Sequence, residues 1–142
     1  MADKKIAFDL VSPERLLLSE EADMVTVPGA DGYMGVMAGH APLVSTLRVG
    51  MIDVLKDGQD SRYFIRGGFA EVNAEKIIVL ADEAIPMAEF DLAVLDQRIK
   101  DTEEDLIAAK NDNERSRISE ALDDLRLIRA AFDHAIARGL PS

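Results

Sequence analysis

Two periods divide the hydrophobic positions of this chain. Up to about Ala84, apolar and polar residues alternate in short runs. Ile6, Phe8 and Leu10 share one face of "KKIAFDLVS"; in "RVGMIDVLK", Val49, Met51 and Leu55 share one face and Ile52 and Val54 the other. Successive strand side chains point to opposite faces, so a period of two, broken by turn residues at intervals of about ten, predicts an all-β sandwich or barrel. "KDGQD" (Lys56 to Asp60) reads as a hairpin loop, because glycine accepts the positive φ that tight turns require. "SRYFIR" runs into Gly67-Gly68, where a bulge or kink is expected before "FAEVN". "NAE" (Asn73 to Glu75) then turns the chain into "KIIVLA", a continuous apolar run expected to be a strand buried on both faces. About nine strands fit the pattern.

After Pro86 the period lengthens. Leu92, Leu95, Ile99, Thr102, Leu106 and Ala109 recur at steps of three and four, while Asp96, Gln97, Lys100, Asp101, Glu103, Glu104 and Asp105 lie between them. That is a narrow apolar seam on a charged helix. "NDNE" interrupts it, and Asn111 followed three residues later by Glu114 has the spacing of a capping box opening a second helix. Its seam is Ile118, Leu122, Leu125, Ile128, Phe132 and Ala135; Arg138, Gly139 and Pro141 supply a cationic last turn, a left-handed cap and a stop. A loop this short makes the helices antiparallel neighbours. The expected organisation is a β-sandwich over residues 1–86 and an α-helical hairpin over 87–142. A two-helix hairpin buries one seam and is marginal alone, so it leans on the sandwich, on another protein, or on each in turn.

Composition narrows the partners. The chain has 142 residues, 48% hydrophobic and 30% charged, with a formal charge of −11 spread over both halves. Neither half offers the basic face that nucleic acid or an anionic lipid surface needs, which leaves proteins and small molecules. The absence of cysteine removes disulfide frameworks, thiolate zinc sites and thiol nucleophiles. The start, "MADKKIAFDL", lacks the character of a signal or transit peptide, and no stretch reaches the ~18 apolar residues of a membrane span. A protein made and kept in the cytosol is expected, with no direct membrane insertion.

The densest cluster of special residues is "GYMGVMAGHAPL", Gly32 to Leu43. A phosphate loop needs glycines opening directly into a helix, and a lysine in its commonest form; here the glycines are 32, 35 and 39, no lysine is near, and strands surround them. Turn-forming glycine is the better account. His40 could serve as a base or ligand, but the only other histidine, His134, lies in the hairpin and no motif supplies partners, so a structural or interface histidine is expected. Glu103, Glu104, Asp105, Asp123 and Asp124 read as solvated helix faces. No catalytic residue, metal site or cofactor is expected. What remains is a binding surface built on Tyr33, Met34, Met37, His40 and Pro42, residue types common where proteins meet. Burial of the Tyr33 and Met34 side chains is the competing account, and alternation sends the two to opposite faces.

These residues also carry a likeness. "VPGADGYMGVMAGHAPLVSTLRVG" (Val27 to Gly50), "IRGGFAEVNAEKIIVLADEA" (Ile65 to Ala84) and the hairpin with "LRLIRA" (Leu125 to Ala130) resemble, in order and over nearly the whole chain, the epsilon subunits of F-type ATP synthases. The resemblance implies a sandwich of about ten strands with a C-terminal helical hairpin. It implies a non-enzymatic central-stalk subunit that links the gamma subunit to the c ring, couples proton-driven rotation to ATP synthesis, and sits peripherally on the cytoplasmic face of a bacterial inner membrane. Tyr33 stands where other members often carry a glutamate that meets the ring, so an aromatic contact replaces a polar one. The likeness also implies that the hairpin can extend along gamma into the catalytic alpha/beta head and block ATP hydrolysis, with Arg115, Arg117, Arg126 and Arg129 as the cations along that path. Ordinary intrahelical pairing, Glu114 with Arg117 or Arg117 with Glu120, is the other role open to them. Some members bind ATP through Ile/Leu-Asp-x-x-Arg-Ala at the start of the hairpin. Here "FDLAVL" keeps Asp91 but has Val94 and Leu95 where Arg-Ala belongs, so no regulatory ATP binding is expected. Two other functions fit the residues: a free-standing β-sandwich adaptor that binds another protein through its hairpin, and a small metal-dependent enzyme using His40 with acidic ligands.

Overall fold

The structure, a computed structural model, describes residues 4–137, with side chains as far as 132. The chain divides into two compact units, Met1–Pro86 and Met87–Ser142. In the first, ten strands follow one another: β1 (Ile6–Val11), β2 (Leu16–Ala22), β3 (Met24–Gly29), β4 (Gly32–Val36), β5 (Leu43–Leu47), β6 (Gly50–Lys56), β7 (Gln59–Ile65), β8 (Gly68–Val72), β9 (Lys76–Ala81) and β10 (Ala84–Pro86). They join in the order β10-β7-β6-β3-β5-β8-β9-β1-β2, with β4 on β3. Every pairing is antiparallel except β1 with β9. β3 meets β5 through the single pair Gly29 and Leu47, and there the sheet curls into a sandwich. Ile6, Phe8 and Leu10 of β1 share one core with Val25 and Val27 of β3, Ile52 and Val54 of β6, and Ile77 and Val79 of β9. Alternation therefore delivers the core, and β10, three residues long, is too short to show a period in the sequence.

The turns obey local chemistry. Asp57 and Gly58 both have positive φ, 52° and 80°, between the paired residues Lys56 and Gln59, which makes a two-residue loop whose twist matches its strands. Gly67 and Gly68, expected as a bulge or kink, form a kink, one sharp enough to turn a corner. Their φ values are 66° and 130°, and here the chain leaves β7, which pairs with β6 and β10, for β8, which pairs with β5 and β9. A Cβ on Gly68 would run into the Leu80 carbonyl, so backbone approach as well as φ demands glycine. The return crossing lies alongside: Asp82 N–H donates to the Gly67 carbonyl at 3.3 Å, and Arg66 N–H to the Glu83 carbonyl at 3.0 Å.

In the second unit a single 3₁₀ turn, Met87–Glu89, precedes α1 (Leu92–Ile107) and α2 (Asp112–Ala137). Asp91 caps α1, its carboxylate accepting from Val94 N–H at 3.2 Å. Asn111 caps α2, accepting from Glu114 N–H at 2.8 Å, while the Glu114 carboxylate reaches back to Lys110 N–H at 3.4 Å, one residue beyond the usual partner of a capping box. None of the expected seam residues of α1 is exposed, and Leu95 is its one buried side chain. Leu122, Ile128 and Phe132 are buried in the seam of α2. The side chains of His134 and Ala135, and the stop at Arg138, Gly139 and Pro141, lie outside the described residues.

Candidate functional site

β4 settles the question of faces. Val36 is fully buried and Met34 packs half-buried against the core, while Tyr33 on the opposite face is 59% exposed. Met34, expected on the contact surface, thus belongs mainly to the interior. Tyr33 sits opposite Pro28 on β3, and its hydroxyl accepts a hydrogen bond from Met51 N–H at 3.3 Å. A Cβ on Gly50 would lie 2.9 Å from that oxygen, so glycine leaves the space the hydroxyl fills. The ring is exposed and fixed.

Beyond β4 the chain turns into β5, not into a helix, in keeping with rejection of a phosphate loop. Gly39 has φ 90°, and its N–H donates to the Ala74 carbonyl at 2.7 Å. His40 is half-buried; its Nδ1 lies 2.7 Å from the Ala41 carbonyl, which can only accept, so Nδ1 carries the proton. Among the described residues no group of three or more His, Cys, Asp or Glu side chains is placed to hold a metal ion. Met37 and Pro42 are exposed beside His40. Tyr33, Met37 and Pro42 therefore face solvent from one strand and the loop that follows it.

The sequence reading missed a second surface. On β9 the run "KIIVLA" is buried on one face only: Ile77, Val79 and Ala81 turn inward, Ile78 is half-exposed and Leu80 is 45% exposed. Leu80 pairs with Phe69 on β8 and with Val11 on β1; Phe69 pairs with Thr46 on β5, and Val11 with Leu16 on β2. These residues make one outward row across five strands, joined by the exposed Val44 on β5. Phe69 and Leu16 are more than half exposed. Strict alternation would have placed polar residues here, and the departure from it in "KIIVLA" was the signal.

Charge adjoins these surfaces: Glu71 stands opposite both Val44 and Ile78, and Asp9 opposite Ile78. Lys5 Nζ donates to Asp23 at 2.6 Å and to Asp57 at 2.7 Å, and Asp57 N–H donates to the second Asp23 oxygen at 2.8 Å. The hydrogen bond to Asp23, then that to Asp57, raises the Lys5 pKa; the bond from Lys5 in turn lowers that of Asp23. The Ser19 hydroxyl and then Lys76 hold Asp9 below the usual carboxylate range. Burial, then Glu20, pushes the Tyr63 phenol up.

The hairpin arginines part company. Arg115 pairs within its own helix with Asp112 at 2.7 Å. Arg126 Nη2 reaches Glu103 on α1 at 3.0 Å, and Arg129 Nε reaches Asp96 on α1 at 2.8 Å. Arg117 is exposed, and among the described residues neither Glu114 nor Glu120 comes within ion-pair distance of it. The intrahelical pairs expected for Arg117 do not form, and two of the four arginines bind the two helices together instead. Asp91 is engaged as the cap of α1, and Val94 beside it is 62% exposed.

An apolar row across a sandwich, a fixed exposed aromatic and a charged helical hairpin define a contact-making module. Comparison with known proteins gives the rest. The family model of the ATP synthase delta/epsilon chain β-sandwich domain matches residues 5–87. The ATP synthase epsilon chain of Parvibaculum lavamentivorans is 50% identical over 127 residues, covering 89% of this chain and 96% of the relative. That of Maricaulis maris is 44% identical over 134 residues, covering 94% and 100%. Among solved structures, a chain in the Euglena gracilis mitochondrial ATP synthase superposes with a TM-score of 0.79 at 26% identity, covering 93% of this chain and 89% of that one. A chain in the central stalk and c-ring structure of the Tetrahymena thermophila enzyme, at 12% identity and a TM-score of 0.62, shares the fold. The chain belongs to the ATP synthase delta/epsilon family, whose epsilon chains are non-catalytic subunits of that complex.

Proposed function

We propose that this chain works as a coupling part of the rotor in the central stalk of a bacterial F-type ATP synthase. The sandwich presents the row Val11, Leu16, Phe69 and Leu80, with Val44, to the gamma subunit. Tyr33, Met37 and Pro42, with His40 holding their loop, meet the polar loops of the c ring. Coupling of this kind needs contact, not reactive groups, and the outward apolar row across β2, β1, β9 and β8, which ends at Thr46 on β5, is the observation that carries the reading: exposed apolar residues in register on four strands belong under a partner. The assembled complex then holds the chain peripherally at the cytoplasmic face of the inner membrane; no described helix is long and apolar enough to cross it.

The hairpin is the brake. Its narrow seams and charged faces suit an element that leaves one site for another, and Arg115, Arg117, Arg126 and Arg129 supply cations for acidic surfaces of the catalytic head. ATP does not regulate it: Val94 brings no cation to phosphate, and Asp91 is occupied in capping. The experiment is ATP hydrolysis by the assembled enzyme with the full chain and with a chain ending at Pro86. Faster hydrolysis on truncation supports the brake, and equal rates overturn it. Recovery of gamma and c-ring proteins with the tagged full chain tests the stalk assignment, and loss of that recovery in a Phe69→Asp, Leu80→Asp variant that still folds tests the row.

A further inference from the structure

Asp96 and Glu103 lie seven residues apart on α1, two turns along one edge of its seam. Each is engaged by an arginine of α2, Glu103 by Arg126 at 3.0 Å and Asp96 by Arg129 at 2.8 Å. We infer that these two cross-helix ion pairs form a latch that sets how firmly α1 and α2 stay together, so that ionic strength governs the opening of the hairpin. The inference rests on the reading above that the hairpin is the moving part.

Three observations bear on the latch. The first is how little apolar burial α1 brings to the pairing: Leu95 alone is buried along its sixteen residues and Leu92, Ile99 and Leu106 are half-buried, against Leu122, Ile128 and Phe132 buried on α2. Where apolar contact is thin, flanking charge decides partner and orientation, as it does beside the seam of a coiled coil. The second is exposure. The side chains of Arg126 and Glu103 are 54% and 48% exposed, and those of Arg129 and Asp96 are 30% and 53% exposed. Charges this close to solvent are screened when the Debye length falls from about 10 Å at 0.1 M salt to about 3 Å at 1 M. The third is the contrast with Arg115, whose partner Asp112 lies on the same helix. That pair is indifferent to separation of α1 from α2, whereas the other two exist only when the helices are paired.

Each latch arginine is thereby committed twice over. It cannot hold its α1 carboxylate and an outside anion at full strength together, so hairpin closure and use of these cations oppose each other through linkage.

The chain contains no cysteine, so nitroxide labels on Lys100→Cys and Ala130→Cys report the separation of α1 from α2 in the full-length protein without background. Dipolar distance distributions are recorded between 0.05 and 1 M salt, values chosen around the screening range. The expected result is a separated fraction that grows with salt. At low salt it should rise about three- to tenfold in the charge-reversed Asp96→Arg, Glu103→Arg variant, the loss expected for two exposed pairs turned to repulsion. Adding Arg126→Glu and Arg129→Glu to that variant restores the short distance. If reversal costs helicity, the four-site swap still decides, because it returns opposite charges to both positions. A separated fraction indifferent to salt and to reversal, or a swap that fails to restore pairing, overturns the latch. These distances are read on the chain alone, so the outcome is independent of the hydrolysis comparison that tests the brake.

Discussion

Tyr33 joins two properties that seldom coincide, wide exposure and a fixed ring. Its hydroxyl is tied to Met51 N–H and its neighbours Pro28 and Gly50 shape the space it occupies, so little side-chain freedom remains to be lost when a partner arrives. Tyr33→Asp should leave the isolated chain folded but less stable by about 1 kcal/mol, since it removes the acceptor of Met51 N–H while sparing the core. The assembled synthase carrying it should lose coupling between ATP synthesis and rotation, read as synthesis per proton-driving step in membrane vesicles. Normal coupling would remove Tyr33 from the contact surface. A second residue-scale expectation concerns Lys5 and Asp23. The Asp23 pKa is lowered in the folded chain, so its stabilisation is present above the ordinary value of 3.8 and fades as pH falls through the lower folded value. Lys5 is raised, so its share is complete below 10.5 and fades as pH rises through the higher folded value. Asp23→Asn should flatten the acid limb of a stability-against-pH curve; an unchanged limb would contradict the pairing. At this scale the sequence told much: alternation alone separates Tyr33 from Met34. What alternation could not supply was the Tyr33 hydroxyl's partner, which comes from a strand eighteen residues away.

At the scale of elements, the corner at Gly67-Gly68 and the caps of the hairpin carry the clearest costs. Gly68→Ala should destabilise the sandwich by more than about 2 kcal/mol, because the new methyl meets the Leu80 carbonyl and φ is 130°. Chemical denaturation measures it, and a loss within error would mean the corner relaxes freely. Asn111→Ala should cost about 1 kcal/mol of helix stability by leaving Glu114 N–H without its side-chain acceptor; unchanged helicity and melting would count against the cap. Both features were visible as residues, Gly-Gly and Asn-x-x-Glu, but only the cap was visible as a mechanism. A capping box is local, whereas a corner depends on which strands flank it, and that pairing is long-range. The same division explains β9. Its apolar run announced burial on two faces, yet whether a neighbour covers the outer face is decided by topology. The cross-helix pairs of Arg126 and Arg129 were hidden for this reason too: intrahelical spacing can be counted along a sequence, and register between helices cannot.

The whole molecule is two units with different physical characters. The sandwich has a deep shared core, and the hairpin depends on caps, a thin seam and charge. If the proposed brake is right, removal of everything after Pro86 should spare assembly while releasing hydrolysis. The sequence also leads to a titration: MgATP added to the isolated chain should give no saturable heat at physiological nucleotide concentrations, and tight binding would overturn the account of Val94. Overall architecture was legible because the change from period two to steps of three and four is abrupt at Pro86. The curl of the sheet was not, since it turns on one residue pair, Gly29 with Leu47.

The parallel ladder between β1 and β9 has a consequence for synthesis. β1 is made ahead of β2 and can pair with it at once, but among the described strands only β9 takes its other edge, which stays open until Lys76 to Ala81 have emerged. A nascent chain halted before Lys76 keeps a sticky border and an interior that lacks Ile77, Val79 and Ala81, so it is expected to need guarding by chaperones until β9 closes the gap.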